Sequence, residues 1–233
     1  MSNHAPATSN ASTASETTPS TRPTSRRRFL YAWIGLVACL AIIGGGIGAW
    51  EAVKYRYIPK RFGVVVPGEV YRSGQISKWQ FVPTIQENGI DVVIDLNGVD
   101  PVDEHQAAEI AAYESHDIEN YRFKLHGNGT GDVDTYVEAI AKMAECHRDG
   151  KSFLVHCHAG TQRTGSVVAA FRVLVLGQSP QEAYVELSRY GWDADDDQVL
   201  LTYLNKNLPR VAKELAARGL IEQVPEPFPV VEP

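Results

Sequence analysis

The chain has 233 residues, 44% of them hydrophobic, and a net charge of −6 at pH 7, which suits one domain of ordinary size plus accessory segments. Three cysteines, at positions 39, 146 and 157, exclude a disulfide framework. Residues 1–61 hold eight of the 22 Lys/Arg and two of the 28 Asp/Glu, so residues 62–233 carry a net −12, which excludes nucleic-acid binding through general electrostatics.

Residues 2–25 are rich in Ser, Thr, Ala, Asn and Pro and nearly uncharged. They are too poor in apolar side chains to build a core, so residues 1–28 are expected to be disordered. Arg26-Arg27-Arg28 precede a charge-free stretch from Phe29 to Trp50, 22 residues long. As a helix it would reach ~33 Å, enough for a hydrocarbon core of ~30 Å. Tyr31, Trp33 and Trp50 stand near its ends, where interfacial aromatic belts form. One transmembrane helix is therefore expected over 29–50, followed by a juxtamembrane linker, 51–62. Ser25-Arg26-Arg27-Arg28-Phe29-Leu30 looks like a bacterial twin-arginine export signal, but the apolar run is long for a cleaved one. Ile47-Gly48-Ala49 is a mediocre cleavage site, which favours an uncleaved anchor. Arg22 and Arg26–Arg28 are balanced by Lys54, Arg56, Lys60 and Arg61 beyond the span, so positive-inside counting barely discriminates. The twin-arginine pattern favours a domain outside the cytoplasm.

The folded domain is expected over 63–223. Val64-Val65-Val66 and Val70-Tyr71-Arg72 read as a hairpin around Pro67-Gly68. Ile90–Leu96 reads as a buried strand, Glu104–Ser115 as a helix and Tyr121–Leu125 as a strand. The glycine-rich loop Gly127–Asp134 leads to a helix over Asp134–His147. A strand over Ser152–His156 is followed by a helix to Leu176, with Gly177 just beyond. Ser179-Pro180-Gln181-Glu182 has the form of a capping box with proline at the first helical position, and that helix stops at Gly191. A last helix from about Asp195 is bent near Pro209, and residues 224–233 form a loose Pro/Glu-rich tail. Strands alternating with helices give an α/β fold, a central mostly parallel sheet covered by helices on both faces.

Between the last strand and its helix lies His156-Cys157-His158-Ala159-Gly160-Thr161-Gln162-Arg163-Thr164-Gly165. Such a turn exposes unpaired N–H groups at the positive end of a helix dipole, an anion cradle. Gly160 and Gly165 supply the conformational freedom and close approach the turn needs. Cys157 at the centre would be held as thiolate, its pKa lowered from about 8.5 into the range ~3.5–7.5. Arg163, six positions on, can hold two phosphate oxygens with its planar fork. Thr164 is placed to donate its hydroxyl to the sulfur, and His156 to tune the thiolate and fix the loop. His158, Ala159, Gly160, Thr161 and Gln162, with Arg163, would surround a bound phosphoryl group.

His156-Cys157, Gly160 and Arg163-Thr164-Gly165 resemble the signature of the cysteine-based protein tyrosine and dual-specificity phosphatases. Pro67-Gly68-Glu69-Val70-Tyr71-Arg72-Ser73-Gly74-Gln75 and Gly89–Leu96 are similar to the start of the compact atypical dual-specificity group, and the resemblance covers roughly residues 63–190. It implies a phosphomonoester hydrolase working through a cysteinyl-phosphate, with no cofactor. It also implies a phosphorylated protein or small phosphomonoester as partner, and an upstream aspartate that protonates the leaving oxygen. Asp132 is the expected acid, with helix capping as its alternative role. Asp134, Asp100 and Asp103 are further candidates, and the Trp-Pro-Asp triplet of many family members is absent. Relatives acting on polyphosphorylated ligands tend to carry Lys or Arg inside the loop, whereas here only His158 adds a titratable cation. A singly phosphorylated substrate, phosphotyrosine above all, is expected. Two alternatives stay open, a phosphate-binding module without turnover and a redox or arsenate-type enzyme pairing Cys157 with Cys146. His105, His116, His126 and His147 show no ligand spacing, so no metal is expected.

Overall fold

The structure, a computed structural model, describes residues 25–233; the Ser/Thr-rich stretch expected to be disordered lies, up to residue 24, outside them. The described residues divide into two units at the boundary between Trp50 and Glu51. In the first, helix α1 begins, Ser25–Val53 in all, 29 residues long. The segment Arg28–Arg56, with mean hydropathy 2.1, is long and apolar enough to cross a membrane.

The second unit is built on a five-stranded sheet of order β1-β2-β5-β3-β4. Its strands are β1 (Gly63–Val66), β2 (Val70–Ser73), β3 (Val92–Asp95), β4 (Glu119–Arg122) and β5 (Phe153–His156). β1 pairs antiparallel with β2 through the expected hairpin, with an irregularity between Val64 and Val66. The other pairings are parallel, and β5 lies between β2 and β3.

Alternation along the central strands sorts their side chains onto two faces. Val70, Val92, Ile94, Phe153 and Val155 join one core with α4 (Val133–Arg148), α5 (Gln162–Leu174), α6 (Pro180–Arg189) and α7 (Gln198–Ala217). Tyr71, Val93 and Leu154 join a smaller core with α2 (Phe81–Asn88) and α3 (Glu104–Ser115). The strand ends continue the alternation with charge. Arg72 faces the α5/α6 side, where it meets Glu186, and Asp95 and His156 face the α3 side. These groups, with the strands' carboxyl ends, lie where ligands bind in open parallel sheets.

Several local expectations are corrected. α2 was not expected from the sequence; Phe81, Thr84 and Ile85 bury one side of it, and Gly89 closes it in a left-handed conformation. β4 lies two residues earlier than expected, starting at Glu119. Ser179 makes no capping bond to the backbone, because its hydroxyl bonds the Gln181 side chain instead; Pro180 does open α6. α7 starts at Gln198, after the acidic run Asp195–Asp197, and carries Pro209 inside it. The segment 224–233 has no regular structure but is pinned. Asn205 on α7 bonds both the N–H and C=O of Val231, whose side chain is fully buried.

Candidate active site

β5 delivers Cys157 one residue beyond its carboxyl end, and α5 begins five residues later at Gln162. The intervening carbonyls are turned outward and held. His158 O accepts from Gln75 N at 3.1 Å, Ala159 O from Arg61 Nη1 at 3.0 Å and Gly160 O from Arg72 Nη2 at 2.8 Å. Fixing carbonyls outside leaves amides to face inward, and Gly160 N points at Cys157 Sγ, 3.1 Å away.

Gly160 is required on two counts: its φ is +78°, and a Cβ there would stand 2.4 Å from Gly74 N. Gly165 supplies the close approach and not the turn: it sits within α5, where a Cβ would come 2.8 Å from Leu187 Cδ2 on α6.

Arg72 is the main brace. It is 1% exposed, its Nη1 donates to Glu186 Oε1 at 2.7 Å, and its guanidinium lies 3.7 Å from the Tyr190 ring centroid. Arg172 pairs with the other oxygen of Glu186. Thr161 turns its hydroxyl to Tyr190 O at 3.1 Å and so anchors the loop to the end of α6.

Arg163 Nη1 donates to Asn97 Oδ1 at 2.8 Å and to Leu96 O at 3.3 Å, which fixes the plane of the guanidinium. Its Nε is buried with no hydrogen-bond partner among the described residues. The Arg163 charge and the amides of Gly160 and Thr164 all act on Cys157 Sγ, so the loop gathers positive charge and donors where an oxyanion can be held beside the sulfur.

Cys157 is 1% exposed. Burial pushes its thiol pKa up, but the Thr164 hydroxyl, the Arg163 charge and the amides of Thr164 and Gly160 outweigh it and hold the thiol below its usual value. The Thr164 hydroxyl also donates to Ser73 O at 3.3 Å.

His156 Nε2 donates to Glu109 Oε1 at 3.0 Å and lies 3.9 Å from Asp95 Oδ1. Burial alone would lower the imidazole pKa; the charges of Glu109 and Asp95 and the Glu109 hydrogen bond push it up to about 9. A histidine held as a cation does not act as a base, so its effect on Cys157 is electrostatic.

Asp95, Glu109 and His156 bring ligand atoms within 4.8 Å of one another. Their chemistry suits an internal ion cluster, for Arg122 pairs with Asp95 at 2.9 Å, Asn97 donates twice to Asp95 and the Tyr113 hydroxyl donates to Glu109.

The candidate acids are placed less directly. Asp132 is exposed and caps α4, accepting from Thr135 N at 3.0 Å; that bond holds its carboxyl below the usual range. As placed it is an ionised acceptor, in the capping role weighed for it. Its loop nevertheless packs on the start of α5, where Ser166 Oγ donates to Gly129 O at 3.4 Å. Asp134 pairs with Arg210, Asp100 accepts from Val102 N and Asp103 caps α3. Cys146 is buried on α4 and its thiol is pushed up to about 11 by burial, the opposite of a reactive cysteine.

The profile of the dual specificity phosphatase catalytic domain matches residues 73–190. The chain belongs to the dual specificity phosphatase family. Solved structures repeat the fold of this phosphatase domain. P. aeruginosa TpbA is 20% identical, with a TM-score of 0.54 over 67% of this chain and 91% of that one. The core catalytic domain of S. cerevisiae SIW14 is 19% identical, with a TM-score of 0.54 over 70% and 94%. Tk-PTP is 21% identical, with a TM-score of 0.52 over 67% and 97%. The chain is thus a cysteine-based phosphatase by family and fold. The family signature was legible in the loop, whereas Arg72, Asn97, Glu109 and Arg61 were not. Arg72 alone left a trace in the sequence, a charge directly after Val70-Tyr71 in the strand.

Proposed function

We propose that Cys157 is the nucleophile of a phosphomonoesterase whose preferred substrate is protein phosphotyrosine, anchored to a membrane by α1. The observation that carries this is the buried Cys157 at the end of β5, its thiol held below the usual value, against burial, by the Thr164 hydroxyl, the Arg163 charge and the loop amides. Sγ attacks phosphorus as the phosphorus–oxygen bond to the leaving group breaks, and the leaving oxygen takes a proton from the acid. Arg163 and the loop amides stabilise the equatorial oxygens. Water then attacks the cysteinyl-phosphate, giving a proton to the now ionised acid, as the sulfur–phosphorus bond breaks to release inorganic phosphate and return the thiolate, with the Thr164 hydroxyl donating to the sulfur as it leaves. His156 acts on the thiolate through its charge, and His158, Ala159, Gly160, Thr161 and Gln162 shape the loop around the phosphoryl group.

Asp132 is our choice of acid, by leaving its cap as substrate binds. Phosphotyrosine is favoured because residues 62–233 carry a net −12 and the loop proper holds no lysine. A complex of P. aeruginosa TpbA with pTyr has been solved, and SIW14 is described as a PP-IP phosphatase; the two define the substrate classes to compare. The domain organisation we propose keeps 29–50 as the anchor and 63–223 as the catalytic body. The catalytic side is extracytoplasmic.

Turnover of p-nitrophenyl phosphate in the presence of a chelator tests the chemistry. Full activity is expected without added metal. Cys157→Ser should abolish it, and Arg163→Lys should lower kcat by roughly 10²–10³, the usual effect of losing one oxyanion-stabilising group. Undiminished turnover in Cys157→Ser would refute the assignment.

A further inference from the structure

Next to the loop lies a cleft of about 360 Å³, lined by Tyr55, Arg56, Lys60, Trp79, His105 and His158 among others. Its basic wall comes from the segment directly after α1, which the sequence presents as a mere linker. That segment packs on the active site. Gly74 N donates to Lys60 O at 2.7 Å. The Lys60 chain runs so close that a Cβ on Gly74 would meet Lys60 Cδ at 3.0 Å and Ala159 O at 2.8 Å. Lys60 is thus a neighbour of the phosphate loop itself; burial and the Arg61 charge lower its pKa, and the charge of Cys157 opposes them.

Arg56 lies with its guanidinium 4.0 Å from the Trp79 ring centroid, and Trp79 meets His105 edge-on at 5.8 Å. Stacking occupies the face of the guanidinium and leaves its N–H edge available to an anion. The nearby carboxylates are otherwise engaged. Asp103 caps α3 and accepts from Gln75 Nε2 at 2.9 Å, and Glu104 pairs with Lys78 at 2.8 Å. Neither Arg56 nor Lys60 has a carboxylate partner among the described residues. His158 belongs to both places, as a loop residue that lines the cleft and donates from Nδ1 to Gln75 Oε1 at 2.8 Å.

We propose that this cleft is a subsite for a second anionic group on the leaving-group side of the scissile phosphate. Lys60 and Arg56 are its counter-charges, and Trp79 and Tyr55 its flat walls. The inference rests on the phosphatase function proposed above and specifies its substrate, a phosphate ester with a neighbouring anion. An acidic residue flanking phosphotyrosine supplies that anion, and so does a second phosphate on a small polyol. Asp103, held close by Gln75, disfavours a densely charged ligand and so favours the peptide. The preference would reside in the post-helix segment and not in the lysine-free loop.

The test compares kcat/KM at low ionic strength for the full chain in detergent. The substrates are a phosphotyrosyl peptide with neutral flanks, the same peptide with glutamates flanking the tyrosine, and an inositol polyphosphate. The acidic peptide should be preferred to the neutral one by roughly tenfold, one charge-assisted contact's worth. High salt should shrink that ratio, and Lys60→Ala/Arg56→Ala should bring it to near one. Collapse of the ratio for the inositol polyphosphate in place of the peptide would support the subsite and assign its anion to a second phosphate. Equal ratios in wild type and double variant would overturn the subsite. Silence of the wild type toward every substrate, p-nitrophenyl phosphate included, would overturn the phosphatase function instead.

Discussion

His156 is a cation next to the reactive sulfur because Glu109 and Asp95 outweigh its burial, and this ties activity and stability to pH. Its folded pKa, about 9, lies above the ordinary 6.5. The stability it contributes is therefore fully present below pH 6.5 and lost as pH rises through 9. Glu109→Gln removes the larger of the two carboxylate contributions and leaves Asp95, Arg122 and Tyr113 around the ring. The alkaline limb of the kcat/KM profile should move down from near pH 9 toward 6.5. Urea unfolding at neutral pH should show a loss of a few kcal/mol, on the order of that seen when a buried ion pair loses one partner. A profile and an unfolding midpoint identical to wild type would show that His156 is not charged by Glu109. At this scale the sequence was informative for residues whose neighbours in space are also neighbours in the chain. Cys157, Arg163 and Thr164 lie within one turn and the start of one helix. Glu109 reaches His156 across 47 positions and Arg72 reaches Gly160 across 88, so no local spacing marks either contact.

Among elements, α4 joins the uncertain acid to the fold. Asp132 caps it through Thr135 N, and capping and proton donation make different demands on the same carboxyl. Asparagine caps as well as aspartate but cannot supply the proton, whereas alanine does neither. Asp132→Asn should keep the melting temperature within error of wild type and slow turnover of phosphotyrosine, whose leaving group is poor, by ~10²-fold or more. Asp132→Ala should add a stability loss of about 1 kcal/mol. Wild-type turnover in Asp132→Asn, measured by phosphate release, would assign the residue to capping alone. The elements themselves were largely legible where periodicity was strong. The hairpin, α3, α4, β5 and α5 follow their apolar patterns to within a few residues. α2 escaped because Phe81-Val82-Pro83-Thr84-Ile85 is short and carries a proline. The Ser179 capping box failed because a neighbouring glutamine side chain took the hydroxyl. The tail misled through its Pro/Glu composition, while two hydrogen bonds from Asn205 hold it at Val231.

For the whole molecule, the distribution of charge is the organising fact. A domain of net −12 follows a basic segment, residues 54–61, which holds four of the chain's cations and forms one wall of a cleft at the phosphate loop. The segment that would connect the proposed anchor to the catalytic body is thereby part of the body, and the selection of substrate belongs to that junction. All of this depends on Cys157 carrying the phosphoryl group. The direct measurement is acid quenching of the full chain during turnover of a phosphotyrosyl peptide, followed by peptide mapping under conditions that preserve thiophosphate esters. The account predicts one phosphoryl group on the peptide containing Cys157, and none in Cys157→Ser. A phosphoryl group on another residue, or steady turnover with Cys157 never modified, would contradict it.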